Sequence, residues 1–196
     1  MAQTVTYIYD DPKLARQAIQ ALETAGFTSD EISIVRQGAD DVIDGADSSE
    51  DGATTSASVG LAAGAGAGLL ASLGLIAIPG IGPLVAAGVL ATTLATGAAG
   101  AVGGGLVGAL LDYGISEEDA PVYAENLRRG GTLLSVRASD ARVRDAELIL
   151  QRYSPVDIGE RAGTYRGEGW TGYDPDAPAY TPGELQNKRP PRTGTR

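Results

Sequence analysis

The chain has 196 residues, a net charge of −10, and neither cysteine nor histidine. Those absences remove the thiolate nucleophile, the disulfide framework, the usual zinc and iron ligands and the imidazole acid/base that works near neutral pH. The acidity opposes non-specific binding to nucleic acid, which needs clustered Lys and Arg.

In chain order, residues 5–9 read as a strand. Asp11 then serves as N-cap, with Pro12 at the first helical position. Leu14, Ala18, Leu22 and Ala25 recur at helical spacing, Gly26 supplies the stop, and residues 32–35 read as a second strand. The start, MAQTVTYIYDD, has no basic and apolar leader, so the cytoplasmic side is the expected location. Asp40, Asp41, Asp44, Asp47, Glu50 and Asp51 crowd the next segment. Their spacing does not fit a calcium loop, and a solvated acidic linker is the plainer reading.

Residues 52–111 contain no charged and no aromatic side chain. Pro79, Gly80, Gly82 and Pro83 break this run near its middle, so it predicts two helices, 56–78 and 84–111, joined by a turn at IPGIGP. Each would reach about 30 to 40 Å, long enough for a bilayer core. Gly60, Gly64 and Gly68 form a four-residue series on the first, and Gly100, Gly104 and Gly108 form another on the second. The pairs 60/108, 64/104 and 68/100 share one midpoint, so an antiparallel hairpin would bring the glycine faces together as a zipper. The strings at Gly66, Gly68 and Ala71 and at Gly103, Gly105 and Gly108 imitate dinucleotide loops. They lack the preceding strand and the acidic ribose ligand, so no cofactor is expected.

Leu61, Leu69, Leu73, Ile76, Val85, Leu90, Leu94, Val102 and Leu106 would remain on the outside of such a hairpin and must be hidden from water. Two routes are open. The leading expectation is that the hairpin enters a bilayer and returns, which leaves both α/β halves on one side and able to pair; the alternative is that hairpins of several subunits pack into a soluble homo-oligomer. Against the bilayer, Arg36 and Arg128 are the nearest cations to the run, and Tyr113 is the one aromatic placed near an interface.

After the run, Ser116 is placed to cap a helix with Glu117, Glu118 and Asp119 in its first turn and Arg128 and Arg129 in its last, all favouring its dipole. A strand over 132–137 follows, then a helix capped by Ser139 with Val143, Ala146, Leu150 and Tyr153 on one face, then a short strand over 156–158. VTYIYDDPKLARQAIQALETAG and LLSVRASDARVRDAELILQRYS superpose with Ala18 opposite Ala146 and Leu22 opposite Leu150. Two such β-α-β halves predict an α+β fold, a split ferredoxin-like sandwich interrupted by the hairpin. The units are a first half over 4–38, an acidic linker over 39–55, the hairpin over 56–111, a helix plus second half over 115–160, and a disordered tail over 161–196. Trp170, Tyr173 and Tyr180 either form a docking motif or tack the tail down.

The stretch YAENLRRGGTLLSVRASDARVRDAELILQRYSPVDIGERAGTYRGEGW resembles bacterial general stress proteins of the heat-induced and low-temperature-induced type. With the N-terminal VTYIYDDPKLARQAIQALETAGFTSDEISIV and the glycine-rich run, the resemblance covers about residues 4–170. It implies stress-induced expression, a glycine-zipper insertion between two α/β halves and no catalytic site. It transfers no catalytic, metal or cofactor residue. The expected partner is the chain itself, or the lipid bilayer, and not a nucleic acid.

Overall fold

A computed structural model describes residues 2–37, 74–78, 81–100, 105–178, 180–181 and 183–184. The elements are β1 (Ala2–Tyr9), α1 (Pro12–Thr24), β2 (Ile32–Gln37), β3 (Gly74–Ile78), β4 (Gly82–Ala87), α2 (Val89–Gly100), α3 (Gly105–Asp112), α4 (Ala120–Arg128), β5 (Thr132–Ser139), α5 (Val143–Gln151) and α6 (Ile158–Gly167). The five strands form one antiparallel sheet in the order β1-β5-β2-β4-β3. Beyond β1, Val156 makes a single bridge to Ile8. The fold is therefore α+β.

Each of the two repeats contributes a helix to one buried cluster. Asp11 accepts a hydrogen bond from Lys13 N at 2.9 Å, Pro12 opens α1, and Gly26, at φ +81°, closes it with Phe27 N donating to Leu22 O. Ala18, Leu22, Ala146 and Leu150 are fully enclosed in one cluster between α1, α5 and the sheet, with Ile32, Ile34, Leu134 and Val136 beneath them. Ser139 does not cap α5 directly. Its carbonyl accepts from Arg142 N in a turn, and the helix begins at Val143.

The uncharged run departs from the two-helix expectation. Residues 74–78 and 82–87, predicted at the end of one helix and the start of the next, are β3 and β4 of the sheet. The chain still reverses at the predicted place, but between strands. Of the turn residues, Pro79 and Gly80 lie outside the described residues. Gly82 and Pro83 belong to β4, paired with Ile78 and Ala77. Two prolines four apart, each beside a glycine, deny that stretch helical hydrogen bonds, β-branched Ile76, Ile78, Ile81 and Val85 suit a pleated surface, and the edge of β2 supplies the ladder that β4 joins.

At the end of β4 the backbone turns sharply into α2 at Gly88. Its φ is +82°, and a Cβ there would lie 2.2 Å from Ile32 O and 2.6 Å from Ser33 Oγ. Only glycine fits. Ser33 Oγ then accepts from Leu90 N at 3.2 Å, tying the new helix to β2.

α2, α3 and α4 cover the second face of the sheet. Leu84, Leu90, Leu94, Leu106 and Leu110 are fully buried there with Ile8, Val35, Leu127 and Leu133. Thus Val85, Leu90, Leu94 and Leu106, which the sequence assigns to an outer apolar face, are core residues of the chain itself. No helix among the described residues is long and apolar enough to cross a membrane. The helix expected over 84–111 is replaced by β4, α2 and α3, so that half of the hairpin does not form a span.

The C-terminal expectation is also corrected. Residues 158–167, which the sequence divides between the end of the second half (to 160) and a disordered tail (from 161), form α6. Asp157 is its N-cap, accepting from Glu160 N at 2.8 Å. The fourth strand shrinks to the Val156 bridge. Residues 185–196 of the predicted tail lie outside the described residues.

Candidate functional site

The glycine series is described only in part. Gly60, Gly64, Gly68 and Gly104 lie outside the described residues, as do the acidic linker residues Asp40, Asp41, Asp44, Asp47, Glu50 and Asp51. Gly100 ends α2 and Gly108 sits within α3, so the structure places these two on separate helices. No described residue comes within 4 Å of a Cβ built at Gly108. The lookalike loop at Gly105 and Gly108 opens a helix that follows another helix, not a strand.

Two polar constellations lie inside the described fold. The first is a hydroxyl relay on the sheet face beneath α2 and α3. The Tyr113 hydroxyl and Ser135 Oγ are 2.7 Å apart, and Tyr113 also donates to Ser33 Oγ at 3.4 Å. No carboxylate or amine among the described residues joins it. Through these contacts the relay ties the end of α3 to β2 and β5.

The second constellation is built on α4. Ser116 Oγ accepts from Asp119 N at 3.1 Å, so the predicted cap organises a turn, and α4 itself starts at Ala120. Ala120, Tyr123, Ala124 and Leu127 pack α4 on the sheet, and Val122 packs it against Ala162 and Tyr165 of α6. Enclosed on both sides, the helix must bury its polar residues too. Glu125 is 0% exposed, and Asn126, Arg128 and Arg129 are all below a tenth.

Those charges satisfy one another. Arg129 Nε donates to Glu125 Oε1 at 2.7 Å and Arg128 Nη1 to Glu125 Oε2 at 3.3 Å, so one carboxylate serves two guanidiniums. Arg129 also pairs with Glu168, and its guanidinium lies 4.0 Å over the Tyr165 ring. Burial works against the Arg129 charge, but the hydrogen bonds to Glu125 and Glu168 outweigh it and hold its pKa raised. Asn126 Nδ2 donates to the Tyr165 hydroxyl at 3.2 Å. Gly131 leaves room for this amide, since a Cβ there would fall 1.8 Å from Asn126 Oδ1. Arg161 of α6 pairs with Asp10 at the end of β1. An unpaired buried guanidinium would cost several kcal/mol, so the arrangement is stable only as a set.

The C-terminal segment closes over this set. Arg128 Nη2 donates to Pro178 O at 2.9 Å, the Tyr180 ring lies 4.5 Å from the same guanidinium, and the Tyr180 hydroxyl donates to Glu125 Oε1 at 3.3 Å. Trp170 stands edge-on to Tyr165 at 5.8 Å, and Tyr173 packs on the cluster beneath α4. The three aromatics therefore tack the segment onto the body.

Sequence reasoning missed this site. It assigned Arg128 and Arg129 to the helix dipole, although Glu125 stands three and four residues before them, a spacing that pairs side chains along a helix. Asp157 before α6 and Glu160 in its first turn are likewise a helix-start signal.

A shallow groove between α1 and α5 is lined by Gln17, Gln20, Thr24, Arg152 and Tyr153, with no carboxylate. No group of three or more acids among the described residues is placed to hold a metal ion. Comparison with models of protein families, with characterised proteins and with solved structures finds no match to this chain.

Proposed function

We propose that the chain is a non-enzymatic bacterial stress protein of the type its sequence resembles. It works as a self-associating cytoplasmic scaffold built on a split ferredoxin-like core. The strand order β1-β5-β2, the Val156 bridge on the far side of β1, and the matching helices α1 and α5 support that core.

The observation that carries the aqueous form of this reading is the burial of Leu90, Leu94 and Leu106 at 0% against the chain's own sheet. Side chains already enclosed need no lipid. The association segment is then the remaining uncharged stretch before Gly74, where Gly60, Gly64 and Gly68 recur at four-residue spacing, and Gly104, between the helices that carry Gly100 and Gly108, is the nearest candidate partner for it.

Light scattering on the purified full chain across a concentration series tests this, together with flotation on vesicles of zwitterionic and anionic lipid. The expected result is a defined oligomer that stays with the aqueous phase and that Gly64→Leu with Gly104→Leu dissociates. A strict monomer at every concentration overturns self-association. Flotation of the intact chain would return the hairpin to the bilayer.

A further inference from the structure

The segment that covers α4 behaves as a ligand of the body it belongs to. It leaves α6 through Gly169, at φ +88°, and Gly172, two points where the backbone can swing. Thr171, Asp174, Pro175, Asp176 and Pro178 are exposed, so little apolar burial holds the segment down. It is anchored by Tyr173 on the core and by three polar contacts that all end on Glu125 or Arg128.

The chemistry of the two sides is complementary. From 169 to 187 the chain carries Asp174, Asp176 and Glu184 and no basic residue, whereas the receiving surface presents Arg128 and Arg129 around Glu125, with Arg129 also paired to Glu168 and Arg128 paired, among the described residues, to Glu125 alone. Pro175 and Pro178 restrict the backbone, and a turn over 174–177, in which Asp174 Oδ1 accepts from Asp176 N at 2.9 Å, pre-shapes the segment and lowers the entropy lost when it docks; the Pro178 carbonyl and the Tyr180 ring are what Arg128 receives. Arg128 Nε, buried with the rest of that side chain, has no hydrogen-bond partner among the described residues.

We propose that Glu125 and Arg128 form a peptide-receiving site whose resident is the chain's own segment 173–181, a displaceable strap, and that the strap of a second copy can take its place. The resident itself supplies the argument for the occupant, because every other copy carries the same acidic, proline-stiffened, tyrosine-bearing peptide. In cis the strap has an effective concentration in the millimolar range, so exchange begins only when the cis contact is weakened or the protein is concentrated. A segment with so few buried contacts opens locally long before the molecule unfolds. This inference uses different residues from the glycine series and does not rest on it.

The test adds a fluorescent peptide of residues 170–184 to the full-length protein and follows anisotropy, with hydrogen exchange read on the same samples. Tyr180→Ala loosens the cis strap and leaves the receiving side chains in place. Exchange over 173–181 should accelerate while α4 stays protected, and the peptide should bind this variant roughly tenfold or more tightly than the wild type. A peptide carrying its own Tyr180→Ala change should lose that binding, and so should the double variant Tyr180→Ala with Arg128→Gln. Peptide binding that is equal in wild type and Tyr180→Ala, or absent from a variant whose strap has been released, overturns the inference. So does a Tyr180→Ala strap that exchanges no faster. In the Gly64→Leu with Gly104→Leu variant peptide binding should match that of the wild type, which separates this result from the fate of the association segment.

Discussion

Tyr123 is 8% exposed, and its hydroxyl donates to Thr6 O at 3.2 Å, joining α4 to β1. Burial, reinforced by the nearby Asp119 carboxylate, pushes its pKa up to about 12. Tyr9, which donates to Leu150 O at 2.9 Å, is raised in the same direction, again chiefly by burial. An unfolded phenol ionises near 10, so between about pH 10 and pH 12 the unfolded chain has lost a proton that the folded chain still holds. The stabilisation is complete below pH 10 and is lost as pH rises through the folded value, on the order of 2 kcal/mol for Tyr123. Urea midpoints measured from pH 8 to pH 12 should be flat at first and then fall. In Tyr123→Phe the alkaline fall should be shallower than in the wild type.

Gly88 holds the junction between β4 and α2, and that junction sets where the whole uncharged layer begins. Gly88→Ala would force a Cβ into Ile32 O in a backbone region that L residues rarely adopt. We expect a loss of about 2 to 4 kcal/mol, read by equilibrium denaturation, with fluorescence and circular dichroism tracking one transition. Legibility in the sequence follows from the same contrast between elements. α1 and α5 are readable because 3.6-residue spacing distinguishes a buried face from a wet one, as at Ala18 and Leu22, and β1 is readable from the cap and proline that follow it. The run over 74–111 carries no charged residue to mark a period. Its apolar residues announce burial, but whether Ile76 or Val85 belongs to a strand or a helix is decided by the sheet edge it meets. α6 escaped for the opposite reason: its Gly, Arg and Thr content resembles a linker, and its fold comes from the Asp157 cap and from Tyr165 packing under α4. The α4 site was hidden because sequence gives the spacing of Glu125, Arg128 and Arg129 but not their enclosure.

Across the described residues, α2 and α3 pack with α4 against the sheet, so this part of the uncharged run shares the core of the domain. Leu94→Ala should therefore behave as a core truncation, costing about 2 to 5 kcal/mol and lowering the melting temperature of the entire chain in a single calorimetric transition. A separate low-temperature transition, with the α1/α5 side unaffected, would mark the layer as an independent unit. The sheet also imposes an order of events on synthesis. Along its length β1 pairs with β5, Tyr9 lying opposite Thr132 and Ala2 opposite Ser139. A ribosome adding roughly 5 to 20 residues per second needs on the order of ten seconds to travel between those partners. For that interval the first strand has no neighbour for its ladder, and the uncharged segments emerge before the strand that completes their sheet. The nascent chain is thus most exposed to aggregation, and most dependent on holding factors, in the window that ends when β5 leaves the exit tunnel.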